Sequence, residues 1–436
     1  MLRSNPVARS SRIPGLYRLS IPERIARVAE ESGLSSDQVA ALKEPGGLAL
    51  ERAEHMIENC VGTFALPMGV ATNFVVNDRE VLIPMAIEEP SVIAAASAGA
   101  LAAREGGGFR TRSTERRMIG QIQLIDCPDF DQARARLEAR QGEIAAAADR
   151  LQPRMIERGG GTRQVEIRDL GRGGNPRERM LIVQLVIDTV DAMGANVINT
   201  IAEGVAPLVE SISGGRALLR ILSNFVDQCS CSAEARFPAT ALAPDQVTGD
   251  AVIEAIVSAQ RFAELDPYRA VTHNKGVMNG IDAVVVATGN DWRAVEAAAH
   301  AYAARSGQYG PMTTWRRGED GALLGRIELP MAVGLVGGAI QIHPLARFAR
   351  ALLGVASARE LGEVIVAVGL AQNFSALRAL ATEGIQRGHM ALHARALAAT
   401  AGARGDEVER IARELVRLND IKLERARALL EQLERP

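Results

Sequence analysis

Three polar residues set among Gly, Ala and Val stand out in the stretch HNKGVMNGIDAVVVATGND, which runs from His273 to Asp291. They are Lys275, Asn279 and Asp291. A lysine beside a segment that wants burial is costly unless its charge is paired. Lys275 and Asp291 are therefore expected to pair, for structure or for chemistry. Glu88 and Glu89, in IEEPSVIAAA, lie between an apolar strand and a helix start. A carboxyl buried there holds a proton near neutral pH, whereas one left in the first turn stabilises the helix dipole. His389 and His393, in GHMALHARALAATAG, are one helical turn apart. That is a zinc spacing, but no Glu follows the first histidine and no third ligand stands nearby. A proton donor suits His389 better, with two surface histidines as the plain alternative. Together these residues make a set for carbonyl chemistry. A lysine and an acid hydrogen-bond a developing oxyanion, and a histidine protonates a leaving group.

A second kind of site is written in DAMGAN, residues 191–196, between the strand LVIDTV and a helix. A small-residue turn at a helix N-terminus exposes unpaired N–H groups that suit a pyrophosphate. The turn lacks the G-x-G-x-x-G pattern, so an ordinary strand–helix turn stays open as the alternative.

The elements that must position these residues follow from pattern. FVVNDREVLIPMAI (74–87) reads as two strands about an Asn-Asp turn, and PSVIAAASAGALAAR as a helix opened by Pro90 and Ser91. From about 115 to 225 the order is strand QIQLI, a long charged helix over 130–157, strands 163–170 and 180–190, a helix over 191–212, and strand 217–225. This is the β-α-β-β-α-β order of ferredoxin-like folds. Residues 226–383 read as helices and glycine turns, and the last fifty residues as helices with i,i+4 charge pairs. The expected class is α+β: a large, mainly helical domain (1–114 and 226–383), the inserted ferredoxin-like domain (115–225) and a helical C-terminal flap (384–436).

Bulk properties narrow the function. Of 436 residues 47% are hydrophobic and only 3% aromatic, with a net charge of −2. That excludes the basic, aromatic-rich surface of a dedicated nucleic-acid binder. The apolar runs near 180–190 and 329–340 are short and glycine-broken, which argues against a membrane span. Cys60, Cys127, Cys229 and Cys231 fit free thiols in a reducing cytoplasm.

Taken together, ENCVGTFALPMGVATNF (58–74), EEPS (88–91), DAMGAN, DPYRAVTHNKGVMNGIDAVVVATGNDWRAVEA (266–297), LPMAVGLVGGA (329–339) and EGIQRGHMALHAR (383–395) resemble 3-hydroxy-3-methylglutaryl-CoA (HMG-CoA) reductases of the bacterial, soluble class. The resemblance runs from about Arg12 to the end, in the same order. It implies interconversion of HMG-CoA with mevalonate and CoA through mevaldehyde, by two hydride transfers with a nicotinamide. It further implies that Glu89, Lys275, Asp291 and His389 are catalytic. Lys275, held charged by Asp291, would bond the thioester oxygen, Glu89 would supply a proton, and His389 would protonate the CoA thiolate under a closing flap. Ser91, Arg269, Asn279 and Gln372 match positions near the HMG moiety, and Arg18 the arginine that reaches CoA phosphates. Asp191, Met193, Gly194, Ala195, Asn196 and Asn224 match the dinucleotide contacts. The active site of the family forms between subunits, so a homodimer or larger homo-oligomer is implied, with no metal.

One position departs from the pattern. Where NAD-preferring members carry an aspartate for the ribose 2′-hydroxyl, this chain has Gln152, flanked by Arg150 and Arg154. Overall likeness favours NAD(H), as in mevalonate-degrading relatives; the local residues permit NADP(H). Competing classes are an acylating aldehyde dehydrogenase, which needs an activated cysteine, a metallohydrolase using His389 and His393, and a non-catalytic CoA- or nucleotide-binding scaffold.

Overall fold

The computed structural model describes residues 10–43, 47–175, 178–243, 247–382 and 385–434. The chain opens with three short helices, α1 (Ile21–Ser32), α2 (Ser36–Ala40) and α3 (Leu50–Glu54). Strands β1 (Met68–Val76) and β2 (Arg79–Ala86) form a hairpin about Asn77 and Asp78, both at positive φ. That is the backbone an Asn-Asp turn favours. Helix α4 (Val92–Arg104) and strand β3 (Phe109–Ser113) follow.

The chain then leaves this sheet and builds a second one. Its elements are β4 (Arg117–Ile125), α5 (Phe130–Ala139), α6 (Gln141–Arg150), α7 (Pro153–Glu157), β5 (Gly161–Leu170), β6 (Met180–Asp188), α8 (Ala195–Ser213) and β7 (Arg216–Ser223). The strand order is β5-β6-β4-β7, every pair antiparallel, which is the ferredoxin-like arrangement. Strand β6 is central and buried along almost its whole length, so its sequence runs apolar without alternation. Helices α5, α6 and α8 close one core with this sheet through Leu137, Ile144, Ile198 and Val205. The single long helix expected over 130–157 is three helices. It breaks at Arg140, whose φ and ψ (−114°, 19°) are not helical, and again at Pro153, which can only open a new helix.

On its return the chain forms β8 (Ser230–Phe237), which pairs with β3, then α9 (Gly249–Leu265), α10 (Pro267–Ala287) and α11 (Trp292–Ala303). Strands β9 (Thr313–Arg317) and β10 (Leu323–Pro330), helices α12 (Gly338–Ile342) and α13 (Pro344–Leu353), and the 24-residue α14 (Ala358–Ala381) complete the larger core. The first sheet has the order β2-β1-β3-β8-β10-β9. The reading of 226–383 as helix and glycine turns therefore missed three strands. Helix α14 runs through the middle of this core and is buried on nearly every face. Among the described residues it alone is long and apolar enough to cross a membrane. Small residues let its neighbours approach: a Cβ on Gly99 of α4 would meet the Ala371 carbonyl at 2.3 Å. The chain ends in α15 (Ile385–Thr400), α16 (Asp406–Arg417) and α17 (Leu423–Glu434), which share a small core around Ala398, Ile411 and Leu415.

Candidate active site

The turn between β2 and α4 carries Glu89. Ser91 ends that turn at φ +73°, in the left-handed region, at the N-terminus of α4. A non-glycine residue held there stores strain of about 1–3 kcal/mol, which typically persists only at functional sites. Lys275 and Asn279, one turn apart on α10, face Glu89. The Lys275 ammonium donates to Glu89 Oε2 at 2.6 Å, and Asn279 Nδ2 to Oε1 at 3.4 Å. Gln372 reaches the same helix from α14: Gly280, beside Asn279, leaves so little room that a Cβ there would lie 2.8 Å from Gln372 Cβ. Ser91 Oγ and Gln372 Oε1 are both buried with no protein partner. Buried polar atoms almost always find partners, so two orphans on elements that meet at Lys275 and Asn279 mark where a polar ligand belongs.

A buried polar network fixes the register of α10 against α14. His273 Nε2 contacts Thr313 Oγ1 at 2.6 Å, Thr313 donates to Asn373 Oδ1 at 2.9 Å, and Trp315 Nε1 donates to the same oxygen at 2.7 Å. Burial, with help from the nearby Arg269 charge, drives His273 down to a pKa of about 3. It is a neutral strut, not a titrating group. Arg269, also on α10, is half-buried, lacks a carboxylate partner among the described residues, and has its pKa lowered by burial. An anionic ligand would complete it.

Two expectations for the opening stretch fail. Lys275 is not buried: 60% of its side chain is exposed, because α10 is a helix and turns this face outward. Nor, within one chain, does it meet Asp291. From Lys275 to the end of α10 the helix rises about 18 Å, and Asp291 lies beyond that end. There its carboxylate caps α11, accepting from the Arg293 and Ala294 amides at 3.1 and 3.2 Å. Its neighbour Asn290 clamps the Gly334 backbone, accepting from its N–H at 2.7 Å and donating to its carbonyl at 3.3 Å. His389 lies on α15, with Gly388 inside the helix rather than at its start; the side chain of His389 is outside the described residues. Arg18 is exposed on a short helical turn, stacked over Tyr17.

The DAMGAN turn has the features a dinucleotide phosphate needs. Gly194 sits at φ +104°, at the N-terminus of the 19-residue α8, with no side-chain cap and no acid in the first turn. The first amides of α8 are thus left to a ligand. Met193 lies against Gly334, where a Cβ would stand 2.5 Å from the Met193 nitrogen. Asn196 and Asn224 are exposed nearby in sequence to α8 and β7. Asp191 is already engaged: its Oδ1 accepts from the Ala358 amide at 2.8 Å. Gln152 opens α7 and is half-buried.

The residue pattern and this geometry agree with three comparisons. The family described as hydroxymethylglutaryl-coenzyme A reductase matches residues 20–394. The chain belongs to that family. It is 50% identical over 426 residues to the 3-hydroxy-3-methylglutaryl-coenzyme A reductase of Archaeoglobus fulgidus, covering 98% of this chain and 95% of that one. A probable HMG-CoA reductase of Borreliella burgdorferi is 35% identical, over 78% of this chain and 76% of its own length. A class II HMG-CoA reductase of Streptococcus pneumoniae, solved with NADPH in open conformations, matches with a TM-score of 0.79 and 39% identity, over 95% of this chain and all of that one. The activity is that of an HMG-CoA reductase, an oxidoreductase that uses a nicotinamide dinucleotide.

For an HMG-CoA reductase, the cysteines are bystanders. Burial raises the thiol pKa of Cys127, Cys229 and Cys231, so none is a ready thiolate. Sequence reasoning missed one buried titratable group on α10 itself. Asp282, three residues beyond Asn279, is pushed up to a pKa of about 8, chiefly by burial and then by its hydrogen bond to Glu296 of α11. Glu296 in turn contacts His300 Nε2 at 2.7 Å, and His300 Nδ1 meets the Tyr309 hydroxyl at 2.8 Å. No spacing rule exposes this chain, because it forms only when α10 and α11 pack.

Proposed function

We propose that HMG-CoA is bound with its reacting carbonyl against the Lys275–Glu89–Asn279 cluster. The observation that carries this reading is that cluster flanked by the orphaned Ser91 hydroxyl and Gln372 carbonyl. Lys275 donates to the thioester oxygen as it gains charge, and Glu89 feeds a proton through the same contacts. Ser91, Arg269, Asn279 and Gln372 hold the HMG moiety, and Arg18 takes CoA phosphates. His389, on the C-terminal helices acting as a flap, protonates the departing thiolate. The bound nicotinamide supplies hydride to each of two reductions. Its phosphates lie on the Asp191–Asn196 turn, with Asn224 and Gln152 alongside. In this reading residues 1–114 and 226–383 form the substrate unit, 115–225 the nucleotide unit and 384–436 the flap. Preference between NAD(H) and NADP(H) turns on the groups that meet the adenosine ribose.

A second copy of the chain completes the site. Within one chain Asp291 is too far from Lys275, so the acid beside Lys275 is Asp291 of the partner subunit. Two exposed apolar groups support an interface of this kind: Tyr268 and Val271 on α10, and Val61 and Phe64 in the segment before β1. The assignment is tested by giving the purified protein mevalonate and CoA with NAD⁺ or NADP⁺, and HMG-CoA with each reduced cofactor, while following nicotinamide absorbance. Turnover in both directions, localised in a cytoplasmic fraction, is expected. A folded protein inactive in every combination would refute it. Whether cells use the enzyme to make mevalonate or to degrade it is set by supply, since a catalyst moves no equilibrium; growth on mevalonate as carbon source that needs this gene would support degradation.

A further inference from the structure

One short backbone segment, residues 331–336, runs between the DAMGAN turn and the corner that joins α10 to α11. It is pinned on the side of the turn. The Leu335 amide donates to the Asp191 carbonyl at 2.9 Å, Val336 bridges Ala192 in parallel register, and the buried Arg116 donates to the carbonyls of Val333 and Ala192. Gly334 lies so close that a Cβ on it would stand 2.5 Å from the Met193 nitrogen. On the side of the corner one buried side chain, Asn290, holds the same glycine. Its Oδ1 accepts from the Gly334 amide at 2.7 Å, and its Nδ2 donates to the Gly334 carbonyl at 3.3 Å and to Thr288 Oγ1 at 3.1 Å. Both amide hydrogens and the amide oxygen are thus in use. Thr288, also buried, is bonded in turn to the Val284 and Val285 carbonyls at the end of α10, at 2.9 and 3.1 Å. Among the described residues nothing else bonds either polar atom of Gly334. The residue after Asn290 is Asp291, whose own carboxylate caps α11. That cap starts α11 without help, so the tie from Asn290 across 44 residues of sequence is an addition to the corner, not a part of it.

We propose that Asn290 is a positioning residue for the reduction: through Gly334 it joins the Asp191–Asn196 turn and the Asp291 carboxylate into one body, so that a movement of either is a movement of both. The proposal rests on the reading that the dinucleotide lies on that turn and that Asp291 is the acid beside the reacting oxygen. Asn290 itself touches neither ligand; it acts through its neighbour. Hydride transfer needs its donor, and the acid that stabilises the oxyanion, in register at one carbonyl. A reacting group misplaced by about 1 Å costs on the order of 10²-fold in rate. A support shared by the nucleotide turn and the acid removes their relative motion as a source of that error. Losing Asn290 would leave the Gly334 amide and carbonyl without their partner and free the corner from the turn.

The test has two readouts on the intact protein. The first is amide hydrogen exchange with and without saturating NAD⁺ or NADP⁺. In wild type the dinucleotide should slow exchange at residues 191–196 and also at 288–294. In Asn290→Ala the slowing at 191–196 should remain and that at 288–294 should vanish. Slowing at 288–294 that survives in Asn290→Ala, or that is absent from wild type while 191–196 respond, would overturn the proposal. No response at 191–196 to either dinucleotide would instead refute the reading on which it rests. The second readout is kinetic. Asn290→Ala should lower kcat by about 10–100-fold, with KM for HMG-CoA and for the nicotinamide each within about threefold of wild type. Thr288→Val removes one bond to the Asn290 amide and spares the pair with Gly334. It should show the same pattern at smaller size, and it carries the test if Asn290→Ala does not fold. Because Asn290 acts through Asp291, adding Asn290→Ala to Asp291→Asn should slow turnover by less than about twofold more. A further loss as large as in the wild-type background, or a fall in Tm with kcat unchanged, would make Asn290 structural and overturn the proposal. Full turnover in Asp291→Asn would refute the role of Asp291 itself.

Discussion

Replace Lys275 with Met in one copy and Asp291 with Asn in another, and the geometry makes a quantitative demand. Each variant alone should be nearly inactive, because in the proposed reading each removes a group that meets the reacting oxygen. Within a chain the two residues are apart, since α10 alone separates them by about 18 Å of helical rise, and the cap of α11 engages Asp291 through Oδ1. Across a two-fold interface they can. A mixed dimer then has one site with both groups intact and one with neither. Random association makes half the dimers mixed, so coexpression should restore about one quarter of wild-type turnover. Mixed dimers isolated by two different tags should show about half. Each parent must first be shown to be folded and dimeric by sedimentation. Lys275 is largely exposed and its ion pair with Glu89 is worth only about 0.2–1 kcal/mol in stability, so its loss should not unfold the chain. Asp291→Asn keeps an oxygen for the cap. Turnover in the mixed dimers no greater than in either parent would refute the argument that the site is shared.

Glu89→Gln should lower kcat by about 10²–10⁴-fold, the range for losing a positioned proton donor, while thermal unfolding shifts little. A fall in Tm without a fall in kcat would make Glu89 structural. The Asp282 carboxyl, whose pKa in the fold is about 8, binds a proton that the unfolded chain has released above its ordinary value of 3.8. Its contribution to stability is thus full below that ordinary value and lost as pH rises through about 8, at no more than about 1.4 kcal/mol per pH unit. Asp282→Asn should flatten that decline in urea titrations from pH 6 to 9; an unchanged slope would show that Asp282 does not carry it. Gly334→Ala would place a methyl 2.5 Å from the Met193 nitrogen, pushing the nucleotide turn aside. KM for the nicotinamide should rise while KM for HMG-CoA stays within about twofold, with about 1–3 kcal/mol lost in stability; the opposite pattern would detach this contact from the nucleotide site. Replacing Cys60 with Ser should leave turnover unchanged, and a loss would revive a thiol mechanism.

What could be read from the sequence was what local pattern specifies. The ferredoxin-like order was legible because β4, β6 and β7 carry apolar runs, β5 sets Val165 and Ile167 between polar residues, and β6 has no alternation to confuse with a helix. Strands β8 and β9 were not. SCSAEARF has no β-branched residue and TTWRR is only five residues long, and pairing with β3 and β10 makes them strands. The break at Pro153 was visible in the chain and was passed over. In the site, Lys275 and Asn279 were legible as one helical face, four residues apart. The local role of Asp291 was also spelled out: an aspartate followed by Trp292-Arg293-Ala294 is a helix cap.

The placement of Asp291 carries the main physical lesson. A carboxylate sixteen positions beyond a lysine looks like its partner only if the intervening chain is free to fold back. Here most of the intervening residues belong to the largely buried helix α10, which is tied to α14 by the His273–Thr313–Asn373 network at its first half and by Gly280 against Gln372. Rigid burial of α10 is what aims Lys275 and Asn279 at Glu89 with no freedom to spare. The same rigidity carries Asp291 away, to the far end of the helix. On the reading proposed above, a fold that positions two of its polar groups this firmly obtains the third from a second copy of the chain. Symmetry supplies it without new sequence, since the far end of one α10 can stand beside the near end of another.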